Sequence, residues 1–221
     1  MNPLFNYTLK LADDTLIFGQ RLGELCGQGP YLEEDIALTN IALDYLGQSN
    51  NFYKYAAQIQ DLGKTEDDLA FLRLEKEYLN CQLSELPNGD YANTIMKVYF
   101  FSVYQKILYT ELMKSSDVQL SGIAEKSLKE VKYHYTHTST WLKMFAGGTE
   151  ESKTRVKNAV ENLWEYTGGM FAETSGEEDL AKLEILPNGK EIQELWTKTV
   201  KEDFQNFGIE IPESDFMQKG S

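Results

Sequence analysis

Three polar side chains interrupt an apolar segment of the sequence at a spacing of four residues. Asn40, Asp44 and Gln48 stand among isoleucines, leucines and alanines. This spacing puts them on one line of a helix, because an α-helix has about 3.6 residues per turn. Buried polar groups need hydrogen-bond partners. The line therefore indicates either a hydrogen-bond network between helices, the commoner arrangement, or the remnant of a carboxylate metal site.

A second polar line lies on a later predicted helix. Glu130, His134, His137 and Trp141 follow one another at spacings of three and four. They lie about 110° from the apolar stripe of that helix, on its flank. Glu130 and His134 are predicted to form a side-chain pair rather than a two-ligand metal site, because stable sites use more ligands. Trp141 indicates either a partner surface or ordinary packing. The apolar stripe comprises Ala124, Leu128, Val131, Tyr135, Thr138, Leu142 and Phe145.

The histidines argue against a standard di-iron site. Ferritin-like di-iron proteins take one Glu from each of two helices and a Glu-x-x-His motif from each of two others. This chain has only two histidines, and both fall on the same predicted helix. Val131 stands three residues before His134, and Glu130 is followed at the third position by Tyr133. The pattern therefore excludes the standard six-ligand site.

Helical periodicity dominates the chain, and no strand pattern is long enough to count. A tight turn joins the first two predicted helices, another joins the fourth and fifth, and a long connection with its own helix separates the two pairs. Two antiparallel pairs with one long crossover predict an all-α, ferritin-like four-helix bundle with additional C-terminal helices. We predict one domain over residues 1–221. The predicted helices span residues 7–26, 31–60, 67–86, 91–114, 118–146, 150–167 and 190–207.

Two of these predictions concern burial. The second helix has almost no polar face around residues 36–46, so we expect it to be buried on nearly all sides. Five aromatic residues between positions 99 and 109 are predicted to form core rather than a cofactor pocket. Residues 173–179 are polar and typical of a loop.

Composition and the absence of certain motifs limit the classes of function that the chain can have. The 42% hydrophobic content indicates a folded protein, and the net charge of −14 disfavours nucleic acid as a partner. Neither of the two cysteines belongs to a Cys-x-x-Cys pair. No glycine-rich phosphate loop or Gly-x-Ser-x-Gly elbow occurs. Because the sequence also lacks a signal-peptide pattern and a membrane-spanning apolar run, we expect a soluble, cytoplasmic protein without membrane contact.

Several segments resemble a known family. They are GQRLGELCG at residues 19–27, GPYLEEDIALTNIALDYLGQ at 29–48, ELPNGDYANT at 85–94 and KEVKYH at 129–134. They are similar to the structural, non-catalytic subunits of bacterial ring-1,2-phenylacetyl-CoA epoxidases, within the ferritin-like superfamily. The resemblance runs from about residue 7 to the last predicted helix. Family members usually extend beyond the terminal Gly-Ser, which makes this chain either a truncated or a naturally short form.

The resemblance implies a role in aerobic phenylacetate catabolism. It implies a homologous catalytic di-iron subunit as partner, a reductase subunit in the larger complex, and a homodimer as the alternative when the chain is alone. It places the di-iron centre, FAD and iron–sulfur cluster in the partner subunits and no cofactor or metal in this chain. The positions that correspond to former ligands are Asp44, Glu130 and either Tyr133 or His134.

The sequence leaves three hypotheses for the function of this chain. The preferred one is a non-catalytic scaffold subunit that holds the catalytic subunit in a working assembly. The second is a ferritin-like metalloenzyme with an unorthodox carboxylate site around Asp44 and Glu130. The third is a free-standing helical interaction protein unrelated to oxygenation.

Overall fold

The computed structural model describes residues 2–212. This part of the chain contains helices, turns and loops, and no strand. Two 3₁₀ segments, Glu75–Glu77 and Trp164–Phe171, lie between the helices. None of the helices in the described range is long and apolar enough to cross a membrane. The α-helices are α1 (Pro3–Gly23), α2 (Leu32–Gln60), α3 (Glu66–Phe71), α4 (Gln82–Glu85), α5 (Tyr91–Leu112), α6 (Val118–Ala146), α7 (Glu150–Leu163), α8 (Glu177–Lys182) and α9 (Gly189–Phe207).

Four long helices form the bundle. Helix α1 packs closely along α2, and α5 packs closely along α6, so the bundle consists of two hairpins. The turn between α1 and α2 is closed by Asp35, whose Oδ1 accepts hydrogen bonds from Gly27 N at 2.7 Å and Gly29 N at 3.1 Å. Residues 61–90 cross from one hairpin to the other. The predicted all-α, ferritin-like bundle with one long crossover and C-terminal helices is confirmed.

Aromatic side chains fill the middle of the bundle. Phe18 of α1 stacks on Phe101 of α5 with ring centroids 4.5 Å apart, and Tyr45 of α2 lies 5.1 Å from Phe18. On the other side of α5, Phe100 contacts Trp196 of α9. The residues between positions 99 and 109 that were predicted as core are buried. Helix α5 is therefore covered on both sides, because α7 and α9 pack against it from outside.

The predicted crossover helix over residues 67–86 is wrong. Helix α3 ends at Phe71, and the chain then makes a 3₁₀ turn and the short α4. Buried carboxylates of α1 explain the break. Asp13 Oδ2 accepts a hydrogen bond from Leu79 N at 2.8 Å, and Asp14 Oδ1 accepts one from Cys81 N at 2.7 Å. A continuous helix would keep these amides bonded to its own carbonyl groups.

Other predicted boundaries also shift. Helix α1 starts at Pro3, ahead of the predicted residue 7, because the side chain of Asn2 caps it by accepting from Leu4 N at 3.0 Å. It ends at Gly23, before the predicted residue 26.

The sixth predicted helix, 150–167, ends earlier as α7 and continues as a 3₁₀ segment. Helix α8 lies partly in the predicted loop 173–179. Residues 213–221, with the terminal Gly-Ser, lie outside the described range, and the single domain stays a prediction.

One expectation about burial is also wrong. Helix α2 is not enclosed on nearly all sides, since Ile36 is 51% exposed and Leu43 is 60% exposed. Within the described chain, α4 and α8 pack against α1, and α7 and α9 pack against α5. The outward side of α2 and α6, across residues 36–54 and 122–144, remains open to solvent.

Candidate functional site

Polar side chains link α2 to α6 along most of the length of the two helices. We call this set of residues the seam. Its partners follow an antiparallel register, because residues early in α2 meet residues late in α6. The seam comprises Glu34 with His137 and Trp141, Asp44 with His134, Gln48 with Glu130, and Tyr55 with Asp117.

The middle of the seam is an aspartate–histidine pair. His134 Nε2 lies 2.9 Å from Asp44 Oδ2, and the imidazole is fully buried while the carboxylate remains about one-third exposed. Within the described chain, His134 Nδ1 has no hydrogen-bond partner. The tautomer with the proton on Nε2 therefore suits this site, because it donates to Asp44 and leaves the unpartnered nitrogen without a proton. Tyr45 packs against the imidazole with ring centroids 4.9 Å apart.

A second set of hydrogen bonds extends the seam to α5. Gln48 Nε2 donates to Glu130 Oε2 at 3.0 Å, and Tyr109 OH donates to Gln48 Oε1 at 3.2 Å. Gln105 Nε2 donates to the Tyr109 hydroxyl oxygen at 3.0 Å. Burial raises the pKa of Glu130, and the charge of Asp44 adds to this, although the Gln48 amide opposes it. Three helices are thus joined through amide, hydroxyl and carboxyl groups.

Glu34 collects the contacts at one end of the seam. Its Oε2 accepts hydrogen bonds from Tyr91 OH at 2.5 Å and Trp141 Nε1 at 2.9 Å. His137 Nε2 lies 3.2 Å from the same oxygen. Burial lowers the pKa of His137, and the neighbouring Glu34 carboxylate opposes that shift. Trp141 therefore acts here as a hydrogen-bond donor between helices, packed against Tyr91 and Phe145.

The side chains of the seam do not provide the set of ligands that a di-iron centre needs. Such a centre needs carboxylates from four helices and a histidine from two of them. Here the carboxylate of Glu130 faces an amide N–H of Gln48, and α5 offers Gln105 and Tyr109 at the same level. Between residues 2 and 212, no group of three or more His, Cys, Asp or Glu side chains could hold a metal ion. The absence of a cofactor or metal in this chain remains a prediction.

The structure brings together most of the predicted site residues. Asp44, Glu130 and His134 meet in the seam, which confirms the hydrogen-bond network predicted for Asp44 and Gln48. Asn40 is exposed and takes no part in it. Tyr133 is 50% exposed, on the outside of α6.

One prediction for α6 is wrong. Glu130 and His134 do not form a hydrogen-bonded pair with each other, because each bonds across to α2. His134 is completely buried. The reason is that the line containing Glu130 and His134 faces α2, which the apolar stripe of α6 does not indicate.

A second buried polar cluster was not predicted, and we call it the anchor: Lys10, Asp13, Asp14, Tyr53, Arg73 and the amides of Leu79 and Cys81. Arg73 reaches into the bundle and forms an ion pair with Asp13, with Nη1 and Oδ2 at 3.0 Å. Tyr53 OH donates to Asp13 Oδ1 at 2.5 Å. The sequence signal was two adjacent aspartates within an apolar helix, which need buried partners.

Asp14 is the less completely paired aspartate of the anchor. It is fully buried, and burial raises the pKa of its carboxyl to about 6, although Lys10 and the Cys81 amide oppose the shift. Within the described range its Oδ2 has no hydrogen-bond partner. The anchor attaches the crossover segment to α1 and contains no histidine.

Comparisons with known proteins bear on the whole chain. The family described as "Phenylacetic acid catabolic protein" matches residues 1–221. A protein of Escherichia coli (strain K12), named as one of the subunits of 1,2-phenylacetyl-CoA epoxidase, is 38% identical over 220 residues. That alignment covers 100% of this chain and 88% of the Escherichia coli protein.

Proposed function

This chain belongs to the phenylacetic acid catabolic protein family, and we propose that it is a non-catalytic structural subunit of a 1,2-phenylacetyl-CoA epoxidase. In this role it holds a homologous catalytic di-iron subunit in the working assembly. The irons, FAD and an iron–sulfur cluster belong to partner subunits, and a reductase subunit delivers the electrons.

The observation that carries the proposal is the chemistry of the seam. At the level where a di-iron bundle needs inward carboxylates and histidines, α2 and α5 present Gln48, Gln105 and Tyr109. An amide and a phenol are weak substitutes for the carboxylate and imidazole ligands of iron. These groups instead form hydrogen bonds to one another, although Gln105 Oε1 has no partner among the described residues. Such bonds between helices stabilise a bundle without requiring a metal.

Metal content tests the proposal directly. The purified chain is loaded with ferrous iron without oxygen, desalted and measured by plasma mass spectrometry, alone and after assembly with the catalytic subunit. We expect iron to be retained only in the assembly, in the amount that the catalytic subunit binds by itself. Two irons retained per isolated chain would instead support the metalloenzyme with an unorthodox site around Asp44 and Glu130.

Turnover of the assembled complex gives a second test. Glu130→Gln keeps an oxygen that accepts from Gln48, so the hydrogen bond survives while the negative charge is lost. We expect the turnover of the assembled complex to stay within about two-fold of wild type, because no transition-state contact is removed. Glu125→Gln, an exposed position on the same helix, is the matched control. A large loss of turnover in an intact complex, for Glu130→Gln only, would refute the non-catalytic role.

A further inference from the structure

The side of the bundle formed by α2 and α6 carries large apolar side chains that face solvent. We call this surface the outer face, and it includes the lysines that flank those side chains. Its apolar residues are exposed by half or more: Leu32 71%, Ile36 51%, Leu43 60%, Tyr133 50% and Met144 58%. The lysines of the outer face are Lys54, Lys126, Lys129, Lys132 and Lys143, and all of them are exposed.

The register of the seam aligns these apolar residues across the two helices. Because Asp44 meets His134 and Gln48 meets Glu130, the same antiparallel register brings Leu43 level with Tyr133. One end of the face has Leu32 at the level of Met144. The apolar residues therefore follow the boundary between the two helices, directly outside the hydrogen bonds of the seam.

The surface of α2 is also shaped for close approach. Gly47 lies one turn after Leu43 on the exposed side, and no atom of the described chain lies within 4 Å of the place where a Cβ would stand. A small residue between exposed apolar residues lets a second backbone come close to the helix. The ring of Tyr133 packs against the imidazole of His137, with ring centroids 5.9 Å apart.

The charge of the outer face differs from that of the rest of the chain. Residues 32–60 and 118–146, which contain the outer face, carry five lysines and six carboxylates, a net charge of −1 in a chain of net charge −14. Four of the six carboxylates are engaged within the bundle: Glu34, Asp44 and Glu130 in the seam, and Asp35 in the turn between α1 and α2. The other two, Glu33 and Glu125, are exposed. The face therefore presents mainly lysines around an apolar centre, the arrangement of a protein interface with a polar rim.

We propose that the outer face is the docking surface for an acidic, helical protein subunit, whose carboxylates meet the lysines and whose apolar residues cover Leu43 and Tyr133. The inference rests on the proposed function, in which this subunit is the catalytic one. A second copy of this chain suits the face less well. In a two-fold contact the same surface patch meets itself, so the lysines of one copy would face the lysines of the other.

Binding constants of surface variants test the apolar centre. The purified catalytic subunit is titrated with wild-type chain, Leu43→Asp and the matched control Leu195→Asp, a leucine that is 44% exposed on α9. We expect Leu43→Asp to raise Kd by at least about ten-fold, because central apolar residues dominate interface energies. Leu195→Asp should bind like wild type. Circular dichroism of each variant verifies that the bundle is folded.

The lysines are tested by reversing their charge. The triple variant Lys126→Glu, Lys129→Glu and Lys132→Glu is compared with Lys190→Glu, Lys198→Glu and Lys201→Glu on α9. Both triples make the same change in net charge, and all six positions are exposed. We expect the α6 triple to slow association by at least about ten-fold at low salt, with a smaller effect at high salt, and the α9 triple to have little effect.

The outcomes separate the surface from the function. If the catalytic subunit binds wild type, Leu43→Asp and the α6 triple equally well, the outer face is not the docking surface, although the proposed function stands. If it does not bind wild type at all, both proposals fail. If the chain alone forms a dimer in sedimentation experiments that Leu43→Asp dissociates, the face serves a second copy and the proposed partner is wrong.

Discussion

The seam and the anchor both bury carboxylates between elements of the bundle, but they satisfy them in different ways. In the anchor, Asp13 meets a guanidinium group, a phenol and a backbone amide, and it is completely buried. In the seam, Asp44 meets an imidazole and remains about one-third exposed. The anchor joins a crossover segment to the bundle, whereas the seam joins two long helices whose outer side is open.

The difference separates a region that holds the fold together from one that lies beneath the proposed docking surface. A largely buried ion pair whose remaining lone pairs are occupied holds its elements in one arrangement, and breaking it leaves an uncompensated charge. A partly exposed pair beneath an apolar surface contributes less to folding. It fixes the position of α6 against α2, and hence the shape of the outer face. Three predictions test this division.

The largest expected effect comes from breaking the ion pair of the anchor. Arg73→Met leaves the carboxylate of Asp13 buried without its cation, so we expect the free energy of unfolding to fall by about 3–5 kcal/mol. Urea unfolding followed by circular dichroism measures this value. Arg155→Met removes an exposed arginine that pairs with Asp90 and Glu151, and we expect a far smaller change. Equal losses for the two variants would show that burial of the Asp13–Arg73 ion pair adds nothing to the free energy of unfolding.

An intermediate effect is expected from the seam. Asp44→Ala removes the acceptor of the buried His134 imidazole, and we expect a loss of about 1–3 kcal/mol in the free energy of unfolding. Activity of the assembled complex should fall only as far as folded protein is lost. Asn40→Ala, one turn earlier and exposed, should stay within about 0.5 kcal/mol of wild type. Activity lost while folding and assembly remain intact would contradict a purely structural seam.

The smallest expected effect is a pH dependence from the anchor. Burial raises the pKa of Asp14 from 3.8 to about 6, so between these values the folded state binds more protons than the unfolded state. Its contribution to stability therefore falls as pH rises through this window. We expect the stability of Asp14→Asn relative to wild type to increase by about 1–1.5 kcal/mol from pH 5 to pH 7.5. Urea unfolding at both pH values measures it.

The neutral substitution Asn40→Ala serves as the control for this titration and should follow wild type at both pH values. A constant difference between Asp14→Asn and wild type would mean that Asp14 does not titrate in this range.

The sequence by itself determined the long helices and the missing di-iron pattern. The predicted bounds of α6 match the observed helix, because apolar periodicity and the caps at Asp117 and Gly147 are local features. Asp90 was predictable as the cap of α5 for the same reason, and its side chain accepts from Asn93 N. The count and position of the histidines required no structure, since two residues on one helix cannot serve two helices.

Only the tertiary structure decided how the polar residues are paired. Spacing along α6 favoured a Glu130–His134 pair, but the register of α6 against α2 gave each residue a partner on the opposite helix. The crossover segment has a helical sequence pattern, yet the buried carboxylates of Asp13 and Asp14 take up its backbone amides. Local propensity amounts to a few tenths of a kcal/mol per residue, whereas leaving a buried carboxylate without donors costs several. The energy of pairing a buried carboxylate depends on which helices and segments come into contact. A local sequence pattern does not specify those contacts.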